Sequence, residues 1–483
     1  MASAAASAPV GQAQVGPQKQ ASWVDFPLEV RFEVLNLVIL AHHARNLKIG
    51  LKYIVMLKFT DAMERLLGAL STWAPEECSG GLTLELGIKS SSDPRHYYND
   101  ATVYNSYPFR SWDNLDETVN MRTFHMWHLF RGVGYNHAGH LRFLGDVTST
   151  PGFQEARRYL GSLLQFQGLK KRRLPRVEII NSLLIRHQFK RQMSPLALAK
   201  LVHESLVNIT SFRLERWCRT TNEEEEEYLK DFRERLLSSL PRNITSFHYF
   251  AERFRAFNWS TPSETKPLSV MGLLYSLGHR LTEISLVTPS GTGDWFAEMQ
   301  SIAALALTQP QLLPQWQKLE RICFRSGILR DDNDLGLINR LLLRTAPIAE
   351  SLPNLRSFEM FNTRPTGCQS AKVSSCLFRY SVEHSDAILS WESYWQLLAD
   401  PETIAFELYP QVKCAWEKAA VAHTGHGITI IINEPKGELL DEAIFRQYFQ
   451  PGYRRLAEVF KLDPIHPFTR VLMGFDWDRN RTV

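Results

Sequence analysis

Apolar residues recur in one six-residue pattern along the middle of the chain. The pattern appears as ITSFRL from residue 209, ITSFHY from 244, LTEISL from 281, LERICF from 319 and LRSFEM from 355. Each copy has large apolar residues at its first, fourth and sixth positions, and successive copies start 35, 37, 38 and 36 residues apart. Four of the five follow a Ser-Leu pair by four or five residues. The regular spacing predicts five short strands of one repeated type.

The stretches between these copies have the length and pattern of helices. SPLALAKLVHESL begins with Ser194, a residue that caps helix N-termini, followed by Pro195 at the first helical position. Residues 222–241 place their acidic side chains at the N-terminal end, where the helix dipole favours them. Residues 332–353 repeat this arrangement, with an interruption predicted at Pro347. Parallel strands need such crossovers, so the chain is predicted to be α/β.

Two architectures fit alternating strands and helices. L-x-x-L-x-L at a near-constant period is typical of leucine-rich repeats, so we expect an irregular solenoid of parallel strands alternating with helices. The alternative is a doubly wound sheet, which imposes no fixed period. GLTLELGI at 81–88, HLRFLGDV at 140–147 and LPRVEIINSLLI at 174–185 are less regular strand candidates. LFRYSV at 377 starts only 22 residues after its predecessor, which is short for a helical crossover.

Strand alternation predicts which side chains lie on the concave face of such a solenoid. Successive strand residues point to opposite sides, so the residue between the last two apolar positions faces away from the core. These residues are Arg213, His248, Ser285, Cys323 and Glu359, and the next outward positions are Glu215, Phe250, Val287, Arg325 and Phe361. Their mixture of charged, aromatic and small side chains predicts a face that binds an unknown target protein. The alternative is a solvated face without a ligand.

Near the N-terminus, WVDFPLEVRFEVLNLVI (residues 23–39) is predicted to form a helix that is apolar on two sides. Asp25 can cap its first turn, and Pro27 lies near the first helical position. Residues 30, 34, 37 and 38, which are Val, Val, Leu and Val, lie on one apolar stripe, and residues 28, 32, 35 and 39 form a second. A helix that is apolar all round must be covered on all sides, either by its own domain or by another chain.

This opening resembles the first helix of an F-box. Together with GLTLELGIKSSSDPRHYYND, LPRVEIINSLLIRHQFKRQMSPLALAKLV and CAWEKAAVAHTGHGITI, it resembles a group of fungal F-box-like proteins with an irregular leucine-rich-repeat domain, over about residues 22–430. The resemblance implies that the helix binds the Skp-type linker of a cullin–RING ubiquitin ligase and that the repeat domain holds the target. The implied linker-facing residues are Phe26, Pro27, Leu28, Val30, Val34 and Leu35.

The sequence departs from the F-box pattern after this helix. The later S-R-x-W type segment of an F-box is not visible, and the chain continues through residues 41–73 almost directly into the repeats. Repeat arrays need a cap at their ends. The alternative is therefore that this segment caps the array and has no role in a ubiquitin ligase.

Charge and cysteine usage narrow the possible partners and the compartment. A net charge of +4, from 55 basic and 51 acidic residues, does not mark a polyanion-binding protein, so no nucleic-acid partner is expected. The first 22 residues lack the features of a secretory signal, no stretch reads as a membrane span, and the six cysteines show no CxxC spacing. We therefore expect an intracellular protein with reduced thiols. The basic run KKRRLPR (170–176) fits nuclear import or a solvated loop, so the compartment is cytoplasmic or nuclear.

Histidine gives the sequence its one enzyme-like signal. His125, His128, His137 and His140 lie within 16 residues, and HTGH adds His423 and His426. Paired histidines can share a zinc ion, but no HExxH arrangement accompanies them. Chance clustering is the favoured interpretation. The prediction is a protein without catalytic activity, cofactor or metal, and stoichiometric metal in the purified protein would support the alternative of a metal-dependent enzyme.

These observations give the following organisation. Residues 1–21 are predicted to be a disordered tail, 22–60 a degenerate F-box-like helical segment, 61–435 the solenoid, and 436–483 a C-terminal cap or tail. The predicted function is a non-catalytic protein-recognition subunit, the substrate receptor of an SCF-type ubiquitin ligase. The alternative is an interaction scaffold with no ubiquitin role.

Overall fold

The structure is a computed structural model of the chain. It describes residues 48–74, 81–87, 160–168, 173–186, 191–219, 221–252, 277, 279–288, 316–329, 334–365, 373–393 and 406–433. The predicted helix at 23–39, the strand candidate at 140–147 and the C-terminal segment 436–483 lie outside these residues.

Ten strands form one sheet in the described part of the chain, in the order β1 to β10. They are β1 (Leu82–Glu85), β2 (Ile180–Ile185), β3 (Ser211–Trp217), β4 (Ser246–Glu252), β5 (Glu283–Val287), β6 (Arg321–Arg325), β7 (Ser357–Pro365), β8 (Val373–Glu383), β9 (Asp386–Ser393) and β10 (Ile428–Asn433). Pairing is parallel from β1 to β7, antiparallel for β7–β8 and β8–β9, and parallel again for β9–β10.

The predicted α/β class is confirmed by this mostly parallel sheet. All five copies of the sequence pattern lead into or lie within neighbouring strands, from β3 to β7. The strand order follows the chain without reversal, whereas a doubly wound sheet reverses its order at a switch point. The described chain therefore advances by one strand at each step.

The turn that enters each strand repeats the same hydrogen bond. At the second position of the pattern, the main-chain N–H of Thr245, Thr282, Glu320 and Arg356 donates to the carbonyl of the corresponding residue one strand earlier, at 2.7–2.8 Å. For Thr245 that acceptor is Thr210. The threonine hydroxyls of residues 245 and 282 donate to the same carbonyls as their main-chain N–H groups. The repeat in sequence is therefore also a repeat in hydrogen bonding.

The apolar positions of the pattern form the core. The first, fourth and sixth residues of every copy are buried: Ile209, Phe212, Leu214, Ile244, Phe247, Tyr249, Leu281, Ile284, Leu286, Leu319, Ile322, Phe324, Leu355, Phe358 and Met360. The leucines of the four Ser-Leu pairs are buried as well, at 206, 240, 277 and 352. All these side chains belong to one core cluster, as the spacing predicted.

The helices cover the face of the sheet on which these side chains lie. They are α1 (Lys48–Leu70), α2 (Pro195–Lys200), α3 (Asn222–Asp231), α4 (Leu335–Glu350) and α5 (Pro410–Thr424). Helices α2 and α3 each continue into a π-helical turn, Leu201–Ser205 and Phe232–Leu236, and α3 ends with the turn Leu237–Ser239. Buried residues of all five helices join the core cluster. None of the described helices is long and apolar enough to cross a membrane.

Helix starts follow the sequence signals. The Ser194 side chain accepts a hydrogen bond from the main-chain N–H of Ala197, which confirms Ser194 as the N-cap of α2. The Thr221 hydroxyl caps α3 in the same way, ahead of the acidic first turn. In α4 the Asp334 carboxylate accepts from Gly336. These caps satisfy main-chain donors that have no partner inside the helix.

The predicted interruption at Pro347 is wrong, because α4 continues through it to Glu350. Proline removes one hydrogen-bond donor, which normally pairs with the carbonyl four residues earlier. Here that residue is Leu343, whose side chain is 37% exposed, so water can reach this side of the helix. The carbonyl of Pro347 still accepts from the Ser351 N–H. A proline in the last turn therefore leaves the helix intact.

The short spacing before LFRYSV also has a structural reason. This segment lies in β8, which runs antiparallel to β7, with Phe358 opposite Tyr380 and Met360 opposite Phe378. Antiparallel neighbours need no helical crossover. The change of direction therefore accounts for the 22-residue step that departs from the period of the other copies.

Helix α1 crosses the predicted boundary between residues 60 and 61. Its side chains Phe59, Met63 and Leu67 are buried in the same core as the strands. The Thr60 hydroxyl accepts a hydrogen bond from the main-chain N–H of Gln167 at 2.9 Å. The predicted F-box-like segment (22–60) and the predicted solenoid (61–435) therefore share one helix.

A buried ion pair lies on the core face of the sheet, between β3 and α3. Arg216 lies 3.8 Å from the ring centre of Tyr228, donates to Tyr249 Oη at 2.9 Å and to the Trp217 carbonyl, and forms an ion pair with Glu225. Burial is the largest single effect and opposes the charge of Arg216, but the Glu225 carboxylate and the neighbouring Tyr249, Cys218 and Tyr228 together outweigh it and raise the pKa of Arg216. The paired charges fix α3 against the sheet.

We predict that Phe247→Ala destabilises the fold strongly. The Phe247 ring lies 5.8 Å from that of Phe212 on β3 and 6.3 Å from that of Phe232 in the π-helical turn that precedes β4. Removing it leaves a cavity between two strands and a helix, at a cost of about 3–5 kcal/mol in the free energy of unfolding. The control is Leu343→Ala, at an exposed position of α4. This variant is expected to change the free energy of unfolding by less than about 1 kcal/mol. Equal urea midpoints for both variants would contradict the packing described.

Candidate functional site

The candidate site is the face of the sheet opposite the helices, here called the polar face. Main-chain pairing places Arg213 beside His248, His248 beside Ser285, Ser285 beside Cys323, and Cys323 beside Glu359. These five residues therefore form one continuous row, as the strand alternation predicted. The second predicted row also lies on this face: Glu215 pairs with Phe250, Phe250 with Val287, and Arg325 with Phe361.

The polar face extends beyond the residues that the repeat pattern identified. Arg379 on β8 lies opposite Glu359, and Glu392 on β9 lies opposite Leu377. On the other side, Arg186 follows β2 and pairs with Glu85 of β1. Sequence reasoning missed these charges because β1, β8 and β9 do not follow the repeat period. The signal that could have found Arg379 is the alternation within LFRYSV, in which it occupies an outward position.

Most of the predicted face is buried. Eight of its ten residues are less than one tenth exposed: Glu215, His248, Phe250, Ser285, Val287, Cys323, Glu359 and Phe361. The other two, Arg213 and Arg325, are partly exposed. The buried apolar members do not belong to the core cluster under the helices. Both rows lie on one face of the sheet, as predicted. The prediction of a face that is open to a target is not confirmed, because most of these side chains are buried.

Buried carboxylates on this face lie close to arginines. Arg379 lies 3.9 Å from an oxygen of Glu359 and 3.9 Å from an oxygen of Glu392, so that it lies between two acids. The Glu359 side chain is fully buried. Burial raises the pKa of Glu392, and the charge of Arg379 opposes that rise. Charge on this face is therefore balanced between neighbouring strands.

The same alternation of sign occurs at the other end of the row. Arg213 lies 3.9 Å from the buried carboxylate of Glu215 on its own strand, and Arg186 Nε donates to Glu85 at 2.6 Å. One row nearer the strand starts, Arg321 forms an ion pair with Glu283 on the neighbouring strand. Like charges directly opposite each other destabilise a sheet, and opposite charges stabilise it. The sequence thus places opposite charges in adjacent positions across the polar face.

His248 lies at the centre of a small polar cluster. Its Nε2 is 3.0 Å from Ser246 Oγ and 3.7 Å from a carboxylate oxygen of Glu283. The Ser246 hydroxyl donates to the same carboxylate at 3.1 Å. Burial, together with the positive charges of Arg213 and Arg321, lowers the pKa of His248 well below its ordinary value. His248 is therefore neutral at neutral pH.

The row does not form a nucleophile–base pair in its present geometry. Cys323 is two strands from His248, a separation of about 10 Å, whereas proton transfer needs hydrogen-bond contact. Ser285 is one strand from His248, but its hydroxyl makes no hydrogen bond within the described part of the chain. Activation of either side chain would require such a contact. The interactions that the described side chains of this face make are ion pairs and hydrogen bonds.

The histidines singled out in the sequence have different environments. His423 uses both ring nitrogens: Nδ1 is 2.7 Å from Tyr380 Oη and Nε2 is 3.0 Å from the Leu352 carbonyl. His426 is exposed in the loop after α5. Within the described ranges no group of three or more His, Cys, Asp or Glu side chains is placed to hold a metal ion. The residues at 125, 128, 137 and 140 lie outside those ranges.

The linker-facing group implied by the F-box resemblance cannot be placed on this fold. Phe26, Pro27, Leu28, Val30, Val34 and Leu35 all lie outside the described residues. The described chain begins at Lys48, in α1.

Comparison with known proteins gives one match. A family of unknown function, DUF6546, matches residues 237–447, a region that starts at the end of α3 and includes β4 to β10. The match spans less than half of the 483 residues, so it describes a likeness of this region only. Neither curated proteins nor solved structures gave a match.

We predict that the free energy of unfolding decreases below pH 6.5, because the fold holds buried histidines in the neutral form. His248 has a folded-state pKa well below the ordinary 6.5, and burial also lowers the pKa of His423. Their contribution to stability is complete above pH 6.5 and decreases as the pH falls below it, because the unfolded chain then binds the protons. For the fully buried His248 the slope approaches about 1.4 kcal/mol per pH unit between pH 6.5 and its lowered pKa, and the partly buried His423 adds to it in the same direction.

His248→Gln should therefore reduce the pH dependence of the free energy of unfolding below pH 6.5. His426→Gln is the matched control at an exposed histidine and should retain the wild-type dependence. Urea unfolding across this pH range measures both. Equal slopes for His248→Gln and the wild type would show that His248 is not held neutral by the fold.

Proposed function

We propose that this protein is a non-catalytic recognition subunit built on an irregular leucine-rich-repeat solenoid, and that it is the substrate receptor of an SCF-type ubiquitin ligase. The observation that carries the proposal is the in-order stacking of the five repeated segments as β3 to β7 in one parallel register. The helices on one side and the near-constant period support the solenoid.

Recognition is assigned to the polar face. Its arginines and carboxylates alternate across neighbouring strands, and such a pattern selects a partner of complementary charge. Arg213 and Arg325 are its partly exposed predicted members, so they are the first positions that a target can reach. The buried members, among them Phe250 and Phe361, shape the face and contribute directly only when a target gains access to them.

The ligase role rests on the N-terminal resemblance. In this proposal the residues from Phe26 to Leu35 bind the Skp-type linker, and the repeat domain holds the target near a ligase formed by other polypeptides. The protein's contribution to the reaction is then positional, since it raises the effective concentration of the target.

A scaffold without a ubiquitin role is the second candidate, and α1 favours it. The ring of Phe59 lies 5.3 Å from that of Phe166, and Leu67 is fully buried. Residues 48–60 of the F-box-like segment thus belong to a helix that is packed on the repeat core. Terminal caps of repeat arrays pack in this way.

Co-purification with a Skp-type linker separates the two candidates. We expect the intact chain to retain the linker, and Val34→Asp to abolish retention, because a charge on the apolar stripe opposes docking. Val421→Asp is the matched control: it makes the same change at a side chain that is 50% exposed on α5, and it should retain the linker. Circular dichroism and the thermal midpoint should be unchanged in both variants.

Two outcomes would contradict the ligase proposal. One is failure of the wild-type chain to bind a linker that a protein with a complete F-box binds in the same assay. The other is unfolding of the whole chain by Val34→Asp, which would place this helix against the repeats and support the scaffold. A Val421→Asp variant that also loses the linker would show that the assay reports surface charge and not docking.

A further inference from the structure

Among the described strands, β10 lies at one edge of the sheet. Strand β10 pairs with β9 along its full length, from Ile428 to Asn433. Its opposite edge pairs with no strand within the described part of the chain. An unpaired edge presents a row of main-chain donors and acceptors that can accept another strand. Proteins usually protect such edges with charges, proline, bulges or short length.

Strand β10 carries none of those protections. Its sequence is ITIIIN, with no charged residue and no proline. The side chains of Ile431 and Ile432, which point to opposite faces of the sheet, are 38% and 39% exposed. Both faces of the strand therefore have apolar surface in contact with water.

Helix α5 adds apolar surface beside this edge. A Cβ at Gly427, just before β10, would lie 3.5 Å from a carboxylate oxygen of Glu417, so this face of α5 adjoins the start of β10. Val421 lies one turn further along the same helix face and is 50% exposed. Ile432 points to the helix side of the sheet, as does Ile428, which packs against the core. The exposed apolar surface thus spans the strand edge and the adjoining helix.

We propose that two copies of this chain pair through β10 in antiparallel orientation, with a two-fold axis perpendicular to the sheet. With this axis, the helix-covered faces of the two copies lie on the same side of the combined sheet. Residues that lie opposite each other across the axis must therefore belong to the same face. The pairing centred on Ile430 satisfies this condition. It places Ile428 opposite Ile432 and Thr429 opposite Ile431 of the second copy.

A second copy fits this edge because the strand complements itself. Each exposed isoleucine gains an uncharged neighbour across the two-fold axis, and no like charges face each other. The contact uses the same patch on both copies, which closes the assembly as a dimer. The other end of the sheet is a poor partner for β10, because β1 has only four residues and ends at Glu85, which is paired with Arg186. This inference is independent of the ligase proposal.

Sedimentation velocity of the full chain tests the dimer. We expect a concentration-dependent equilibrium between the 55.6 kDa monomer and a species of twice that mass. The double variant Ile431→Lys with Ile432→Lys should be monomeric at every concentration at which the wild type dimerises, because two lysines on the strand cannot be accommodated at the axis. The matched control is Leu57→Lys with Leu343→Lys, at two exposed helical leucines, and it should dimerise as the wild type does.

Hydrogen exchange locates the contact independently of the variants. Amides of residues 428–432 that face away from β9 should become protected as the wild-type concentration rises, and should exchange rapidly at all concentrations in the double-lysine variant. An unchanged thermal midpoint in that variant shows that the fold survives.

Several results would overturn the proposal. These are a wild-type chain that is monomeric throughout, a dimer that survives the two lysines, or exchange at β10 that does not depend on concentration. Growth into open assemblies larger than a dimer would also contradict it, since that requires pairing of unlike edges.

Discussion

Main-chain pairing between equivalent residues of successive repeats is the constraint on which the rest of the structure depends. Each of the four steps from β3 to β7 repeats one hydrogen bond at the second position of the pattern, for example from Thr282 N–H to the Thr245 carbonyl. This register aligns Phe212 with Phe247 and Ile322 with Phe358, so every copy adds large side chains to the same core. A shift by one residue would move those side chains to the opposite face.

The two faces of the sheet therefore have different chemistry. On the helix side, apolar side chains form a single core, and the buried Arg216 is held by Glu225 and two tyrosines. On the polar face, arginines and glutamates of neighbouring strands balance each other, and His248 is kept neutral by burial. Charges held in this way contribute more to selectivity than to stability. This difference is the physical basis for assigning recognition to the polar face.

The repeat period predicted the strands from β3 to β7, their buried positions and the helix cap at Ser194. These features were predictable because the repeat period, the alternation of side chains along a strand and helix capping depend on local sequence. In this fold the tertiary contacts favour the same arrangement. The change of direction at β8 was not predicted, although the 22-residue step before LFRYSV, which is short for a helical crossover, was a sign of it. Burial of Glu359 and Phe361 was also missed, because alternation gives the face of a side chain but not its coverage. Pro347 was misjudged because its cost depends on its distance from the helix end.

The most direct test of the stacked register is a disulfide between adjacent repeats. In a chain with Thr245→Cys and Thr282→Cys, the account predicts a cross-link under mild oxidation, because neighbouring strands are about 5 Å apart and a disulfide spans that distance. With Thr210→Cys and Thr282→Cys the residues are two strands apart, about 10 Å, and no cross-link should form. Peptide mapping identifies the linked pair. Absence of the 245–282 link, or equal formation of both links, would contradict the in-order ladder.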